Sequence, residues 1–520
     1  MYIHFDGNLY FADACNGQYE LESIRCALHI NLFSETYRDG IKIDVSKYPN
    51  AKPQFSPRFG FNYKPFDDEN GSLQIRGGTG LFTGTPPYVW ISNQAGNNGV
   101  LFGDLNVRAV KDKNDNIISD GRPSLGFTGN MDTYKPAEGS ATRSDIAITD
   151  PDFKYPSLWK SNIAADYKFG DGWVATIELL YSKDINAIYH DNIGLYRTEQ
   201  FVNDGGAGNA RPYYNGYYSD REGNQKAANH VVMLRNTSKG HSLYTTFQLQ
   251  KNFVDGILKG LYLNGSYSFG QSRGVTDGTS SVATSAWKYR AALDGNAEEV
   301  GYTAGSFDGR LLLSASYTAN WSKYAATSFG LIYQRYRPFR YSYCYNGDAN
   351  GDSQFSNDLM YIPANFDEVK DHLLPGDFDS QEDALKAMNA FIEQDPYLSK
   401  HRGEYAERNG AVAPFANQLD LSVSHDIKIY QKNGRSHTLR FSFNIANFLN
   451  LLNRNWGVVQ TTVLGNQQYQ FLTIPKGQGP SAANNYTLKY TMAKDLDETF
   501  KDNLNDVSRW QMQFGIKYIF

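Results

Sequence analysis

The 520-residue sequence has no run of about 18 apolar residues, which excludes a transmembrane helix. Cysteine is almost missing: Cys15, Cys26 and Cys344 form neither a disulfide framework nor a zinc-ligand spacing. At most Cys15 and Cys26 pair, and three free thiols are the preferred reading. Excess positive charge is missing too. A formal net charge of -5 leaves no basic footprint for nucleic acid, which is therefore not an expected partner. The chain lacks a His-Glu-x-x-His helix, a nucleophile elbow and a phosphate-cradling glycine loop, and its nine histidines are scattered without metal spacing. Gly77-Gly78-Thr79-Gly80 falls inside a strand pattern and reads as a site of close packing. No enzyme is expected.

Aromatic residues, in contrast, reach 14%, with 37 tyrosines and 31 phenylalanines, alongside 47 glycines. A mean hydropathy of -0.54 does not argue against membrane-spanning strands, because half of each strand of a membrane barrel is polar. The last residues show this alternation. Trp510, Met512, Phe514, Ile516, Tyr518 and Phe520 share one face of an extended strand, and Arg509, Gln511, Gln513, Gly515 and Lys517 the other. One face suits lipid and the other a wet lumen. A strand of a soluble sandwich also alternates, but that reading gives no reason for the aromatic last residue. Trp510, Phe514, Tyr518 and Phe520 are therefore read as an outer-membrane insertion signal, with membrane lipid and the barrel assembly machinery as partners.

Upstream, period-two segments recur, among them Leu439 to Ile445, Leu419 to Ile427, Phe329 to Tyr333, Leu311 to Ala319, Leu261 to Phe269 and Leu243 to Leu249. Trp173 to Tyr181, Ile163 to Phe169, Leu73 to Leu81, Phe59 to Tyr63 and Cys26 to Ile30 complete a count of twelve strands with the C-terminal one. Connections alternate between short (Lys64–Gly71, Gly170–Gly172, Asn252–Lys259, Ser322–Ala326, Gln431–Ser436) and long. The long ones are Leu32–Phe55, Phe82–Pro156, Lys183–Gly240, Gly270–Arg310, Gln334–Asn417 and Arg454–Val507. Short periplasmic turns alternating with long surface loops are the pattern of outer-membrane barrels.

The stretches Phe55–Tyr63, Gln74–Gly84, Tyr88–Asn93, Asn346–Asp352, Asn357–Pro363, Tyr397–Gly410 and Phe443–Asn453 resemble TonB-dependent outer-membrane receptors. The resemblance is to the Oar-like group of Bacteroidota, related to the SusC/RagA transporters, and it runs from about residue 55 to the C-terminus. It implies an all-β fold: a transmembrane antiparallel β-barrel of which about twelve C-terminal strands of 22 are here, with long extracellular loops. Residues 1–19 are expected to be an irregular start and 20–520 the barrel part. The family's signal peptide, TonB-contacting box and plug are not recognisable, so a C-terminal fragment is expected. The missing plug and TonB would be its partners, with a surface lipoprotein as a further candidate.

Asp348, Asn350, Asp352 and Asp358 place oxygen side chains at near-alternate positions, resembling the first half of an EF-hand loop, and mark a candidate calcium site. Leu359 stands where that loop needs its last glutamate, so Asp358 would replace it; the alternative is an Asx-rich turn. No other cofactor is required. Ser380 and Asp383 predict a helix start, and Ala384, Leu385, Ala387, Met388, Phe391 and Ile392 an apolar stripe ending before Pro396. Tyr88 and Trp90, after Pro86-Pro87, are candidate ligand-stacking residues, with buried packing as the competing role. Arg58, Arg76, Glu178, Arg440 and Arg509 fall on the polar faces, where hydrogen bonding across the lumen is the simplest role.

The leading functional expectation is part of an energy-coupled importer in the outer membrane of a Gram-negative bacterium. Its cargo would be a nutrient such as an oligosaccharide, a peptide or a metal chelate. A self-contained channel or adhesin is the alternative, and a soluble all-β binding protein the third reading.

Overall fold

Period-two alternation of β-branched and aromatic residues with small polar ones favours extended chain that is solvated differently on its two faces, and such segments pair in sequence order when short turns join them. A computed structural model describes residues 37–520 except 42, 70, 98–109, 112–116, 119–144, 203–210, 219–229, 431–435, 465–467, 482–485 and 493–497. Its main element is one antiparallel sheet in which eleven long strands follow each other in chain order. These are β1 (Arg58–Asp68), β2 (Gly71–Thr83), β3 (Ser157–Phe169), β4 (Trp173–Asp184), β5 (Gly240–Asn252), β6 (Leu261–Gly274), β7 (Arg310–Ser322), β8 (Ala325–Tyr336), β9 (Ala416–Tyr430), β10 (Ser436–Ala446) and β11 (Gln511–Ile519). A two-residue strand, Gly301–Tyr302, pairs with the end of β6. Eleven of the twelve expected strands are thus present; Cys26 to Ile30, together with Cys15 and the 19/20 boundary, lies outside the described residues.

The register aligns the apolar positions into rows. Phe514 of β11 faces Phe443 of β10, which faces Val423 of β9, then Phe329 of β8 and Tyr317 of β7. A second row runs Tyr167, Ala175, Leu249, Gly265, Leu313, Tyr333, Leu419 across β3 to β9. Ile163, Ile177, Phe247, Tyr267, Phe329 and Leu331 remain exposed, so the rows form an apolar band facing outward. At about 3.3 Å per residue the strands reach roughly 30 to 50 Å, enough to cross a bilayer core at a tilt.

The other face is a ladder of cross-strand polar pairs. Arg76 bonds Asp166 at 2.9 Å, Thr176 donates to the same carboxylate at 2.7 Å, and Arg440 grips Asp426 with two bonds of 2.7 and 2.8 Å. Thr246 with Ser268, Gln248 with Asn264 and Ser422 with Asn444 continue it. Glycine at 77 lets the strands close up: a Cβ there would lie 2.8 Å from the Phe61 ring and 2.7 Å from the Asn162 carbonyl oxygen.

Because consecutive strands reverse, the short connections between β1 and β2, β3 and β4, β5 and β6, and β7 and β8 share one end of the sheet and the long connections share the other. The long connections fold together. Ile146–Thr149 pairs in parallel with Val231–Thr237, which pairs with Ala187–Asn192. Arg340–Tyr343 pairs with Ala411–Val412 and with Gln468–Tyr469, and Leu373–Leu374 pairs with Leu488–Tyr490. Beneath these small sheets lies a buried core of Tyr341, Tyr343, Tyr345, Phe391, Tyr469, Phe471 and Tyr486. Among the described residues, four α-helices stand in this cap: α1 (Tyr88–Gly96), α2 (Ala283–Lys288), α3 (Gln381–Gln394) and α4 (Phe448–Leu452). The sequence predicts only α3, whose Ser380 accepts a bond from the Asp383 N–H and whose Ala384, Met388, Phe391 and Ile392 are buried. The other three carry no side-chain N-cap and run nine residues or fewer, too little for a helical period to register.

Candidate functional site

Tyr88 opens α1 and is exposed, because the helix is anchored at its other end. The buried Gln94 amide donates to the carbonyls of Val45 and Lys47 at 2.9 and 2.7 Å, and its oxygen accepts the Thr149 N–H at 2.8 Å. These bonds hold α1 against residues 45–55 and 149–155. Between them opens a cleft of about 560 Å³ lined by Tyr48, Lys52, Gln54, Tyr88, Lys154 and Tyr155. Burial raises the Tyr48 phenol above its usual range; burial and then a hydrogen bond with Tyr88 do the same to Tyr155. Lys52 is paired with Asp152 at 2.7 Å. Three phenols with two lysines and an amide offer stacking faces and hydrogen-bond donors to a polar ligand.

Trp90 does not join this cleft. Its Nε1 donates to the Ser280 carbonyl at 2.8 Å and its ring meets His190 edge to face at 5.5 Å. Of the two aromatic candidates, therefore, Tyr88 faces the opening and Trp90 fastens α1 to the neighbouring loop. Tyr48, Lys52, Lys154 and Tyr155 could not be singled out from sequence, since the cleft is assembled from separate chain segments.

The acidic loop is buried within the cap. Asp348 accepts backbone N–H bonds from Asn350, Gly351 and Ser353 at 3.1, 2.6 and 2.8 Å, and Asp352 accepts that of Gln354 at 2.8 Å. Asp358 accepts the Ala349 N–H at 2.8 Å and an Arg211 bond at 3.2 Å, with both side chains essentially inaccessible. Asn350 sits between them and donates to Asp352 at 3.4 Å. The four residues named for calcium are therefore brought together, but their oxygens take N–H groups in Asx-type turns, and the cation beside Asp358 is Arg211. Among the described residues no group of three or more His, Cys, Asp or Glu is arranged as a metal cage. Burial raises all three carboxyls, against the backbone bonds that Asp348 accepts, and repulsion from the neighbouring carboxylates adds to it at Asp352, which reaches about 7, and at Asp358. No sequence signal marks Arg211, which arrives from a distant connection.

Of the insertion-signal residues, Trp510, Phe514, Tyr518 and Phe520 are all exposed, and Tyr518 stacks on both His437 and Phe520. Arg58 lies over the Phe82 ring at 4.5 Å and Glu178 approaches Arg76 at 4.0 Å. Arg509 stands just ahead of β11, its N–H on the Asp506 carbonyl at 3.3 Å.

Residues 34–480 match the family model described as outer membrane beta barrel domain. No curated protein matches the sequence. Among solved structures, two variants of the ferric enterobactin receptor of Pseudomonas aeruginosa are similar at 10% and 9% identity, with TM-scores of 0.33 and 0.35. The matches cover 76% and 89% of this chain but 34% and 40% of theirs. The FrpB iron transporter of Neisseria meningitidis is similar at 7% identity and a TM-score of 0.27, over 75% of this chain and 39% of that one. The chain thus spans well under half the length of these proteins.

Proposed function

The chain belongs to the outer membrane beta barrel domain family and its place is the outer membrane; on that premise we propose that it is the ligand-capturing part of a TonB-dependent receptor of the Oar-like, SusC/RagA-related kind. The observation that carries this reading is the folded cap. Long connections from one end of the sheet pack into buried, aromatic-rich cores and hold open the cleft at Tyr88, which suits capture of a polar nutrient at the outer surface. Among the described residues β1 and β11 are the edges of the sheet, β1 exposed along its whole length and β11 at every position but Gly515, and open edges favour pairing with further strands, as a larger barrel supplies. Under this reading a plug and TonB provide energy coupling, a surface lipoprotein is a candidate partner, and the cargo is an oligosaccharide, a peptide or a metal chelate.

The test is growth of a deletion strain on a panel of sole carbon, nitrogen and iron sources, next to a strain lacking TonB. Loss of the same nutrient in both strains supports the proposal. Unchanged growth of the deletion strain on the nutrients that need TonB would sink it, and stable open conductance in lipid bilayers would point instead to a channel.

A further inference from the structure

Two arginines in the cap are buried without a carboxylate at ion-pair distance among the described residues; Glu299, Asp294 and Asp191 act on Arg290, and Asp277 and Glu299 on Arg408, only from farther away. Arg290 and Arg408 are 5% and 3% exposed, and among the described residues neither is in an ion pair. Their terminal nitrogens rest on main-chain carbonyls: Arg290 on Val275 and Gly295, Arg408 on Val275, Gly274 and Gly301. The Nε of each is buried with no hydrogen-bond partner. Carbonyl dipoles solvate a guanidinium only in part, so two neighbouring unpaired cations remain costly to bury.

Both side chains line one small, mainly polar cavity of about 60 Å³, together with Thr276, Thr279 and Ser342. That space exceeds what a single water needs and fits a small tetrahedral or planar oxyanion. The one carboxylate at its wall is Asp277, whose oxygens already accept the Ala304 N–H at 2.8 Å and the Asn409 amide at 3.0 Å. Glu299 takes the Leu293 and Asp294 N–H groups, while Arg273 and Arg340 are held by Glu407 and Asp308. The cavity wall therefore carries two positive charges against one committed negative charge.

We propose that this cavity binds a small oxyanion, held by the charge of the two guanidinium groups at its wall and by the surrounding hydroxyls, and that the anion ties the connection 275–309 to the segments around Ser342 and Arg408. Guanidinium N–H groups favour oxygen anions in this manner because the hydrogen bonds are charge-assisted.

Thermal unfolding of the full chain in detergent, at fixed ionic strength, tests it with inorganic phosphate, acetate and chloride as probes. A saturable rise in Tm with phosphate or acetate, weakened roughly tenfold in apparent affinity by Arg408→Gln and several-fold by the milder Thr279→Val, is expected. Broadening of the phosphorus resonance of phosphate by the wild-type chain gives a direct reading that does not need the Arg408 variant to fold. No saturable response, a response to chloride only, or equal responses to all three anions overturns the proposal.

Discussion

Replacing Asp352 by asparagine isolates the energetic cost of the buried acidic loop. Asp352 is fully enclosed and faces Asp348 and Asp358, with Arg211 as the cation against Asp358, and its carboxyl is raised from 3.8 to about 7. A carboxyl raised in the folded state holds its proton there while the unfolded chain has released its own. The contribution of Asp352 to the cap is therefore not destabilising below about pH 4, becomes so as pH climbs to about 7, and levels off above that. The interval corresponds to on the order of 4 kcal/mol at pH 8. The substituted amide cannot ionise, and its oxygen can still take the Gln354 N–H. The expected result is near-neutrality of D352N at pH 4 and a stabilised cap at pH 8. Hydrogen exchange of the segment 340–362 at both pH values measures it. An effect of equal size at the two pH values would refute the reasoning. The same experiment with added calcium tests the candidate metal site at Asp348, Asn350, Asp352 and Asp358: a saturable protection at pH 8 in the wild type, abolished by D352N, is the outcome that a calcium ion requires.

Ser380→Ala removes the N-cap of α3 and should cost about 1 kcal/mol, seen as faster exchange at the first turn with no change in the sheet. Phe443→Arg puts a charge on the apolar band and should cost about 2–4 kcal/mol, read as less folded barrel in the outer-membrane fraction. Tyr88→Ala should weaken ligand binding without lowering Tm, whereas Trp90→Ala should lower Tm by loosening α1, since only Trp90 is tied to Ser280 and His190.

The sheet was legible because membrane strands keep a strict period of two: each face meets one solvent along its whole length, and the segments from Phe59 to Phe520 reappear as β1 to β11 in the expected order. The cap was not. Ile146–Thr149 and Val231–Thr237 are short, fully or largely buried and pair across about 85 residues, so neither alternation nor neighbouring turns mark them. Arg211, Arg290 and Arg408 read as ordinary surface arginines until the fold buries them. The Asp348 loop was visible as a pattern, but whether its oxygens point at a cation or at their own backbone is a matter of geometry that spacing does not decide.

The pairing of distant connections also imposes an order in time. Ile146–Thr149 meets Val231–Thr237 with β3 and β4 in the chain between them, and Tyr343 meets Tyr469 with β9 and β10 between them. Closing such long loops is entropically expensive and therefore slow, so the wall is expected to assemble before the cap matures. A barrel of this build would pass through a stage with a finished wall and an unfinished roof, in which the long connections are still open to proteolysis.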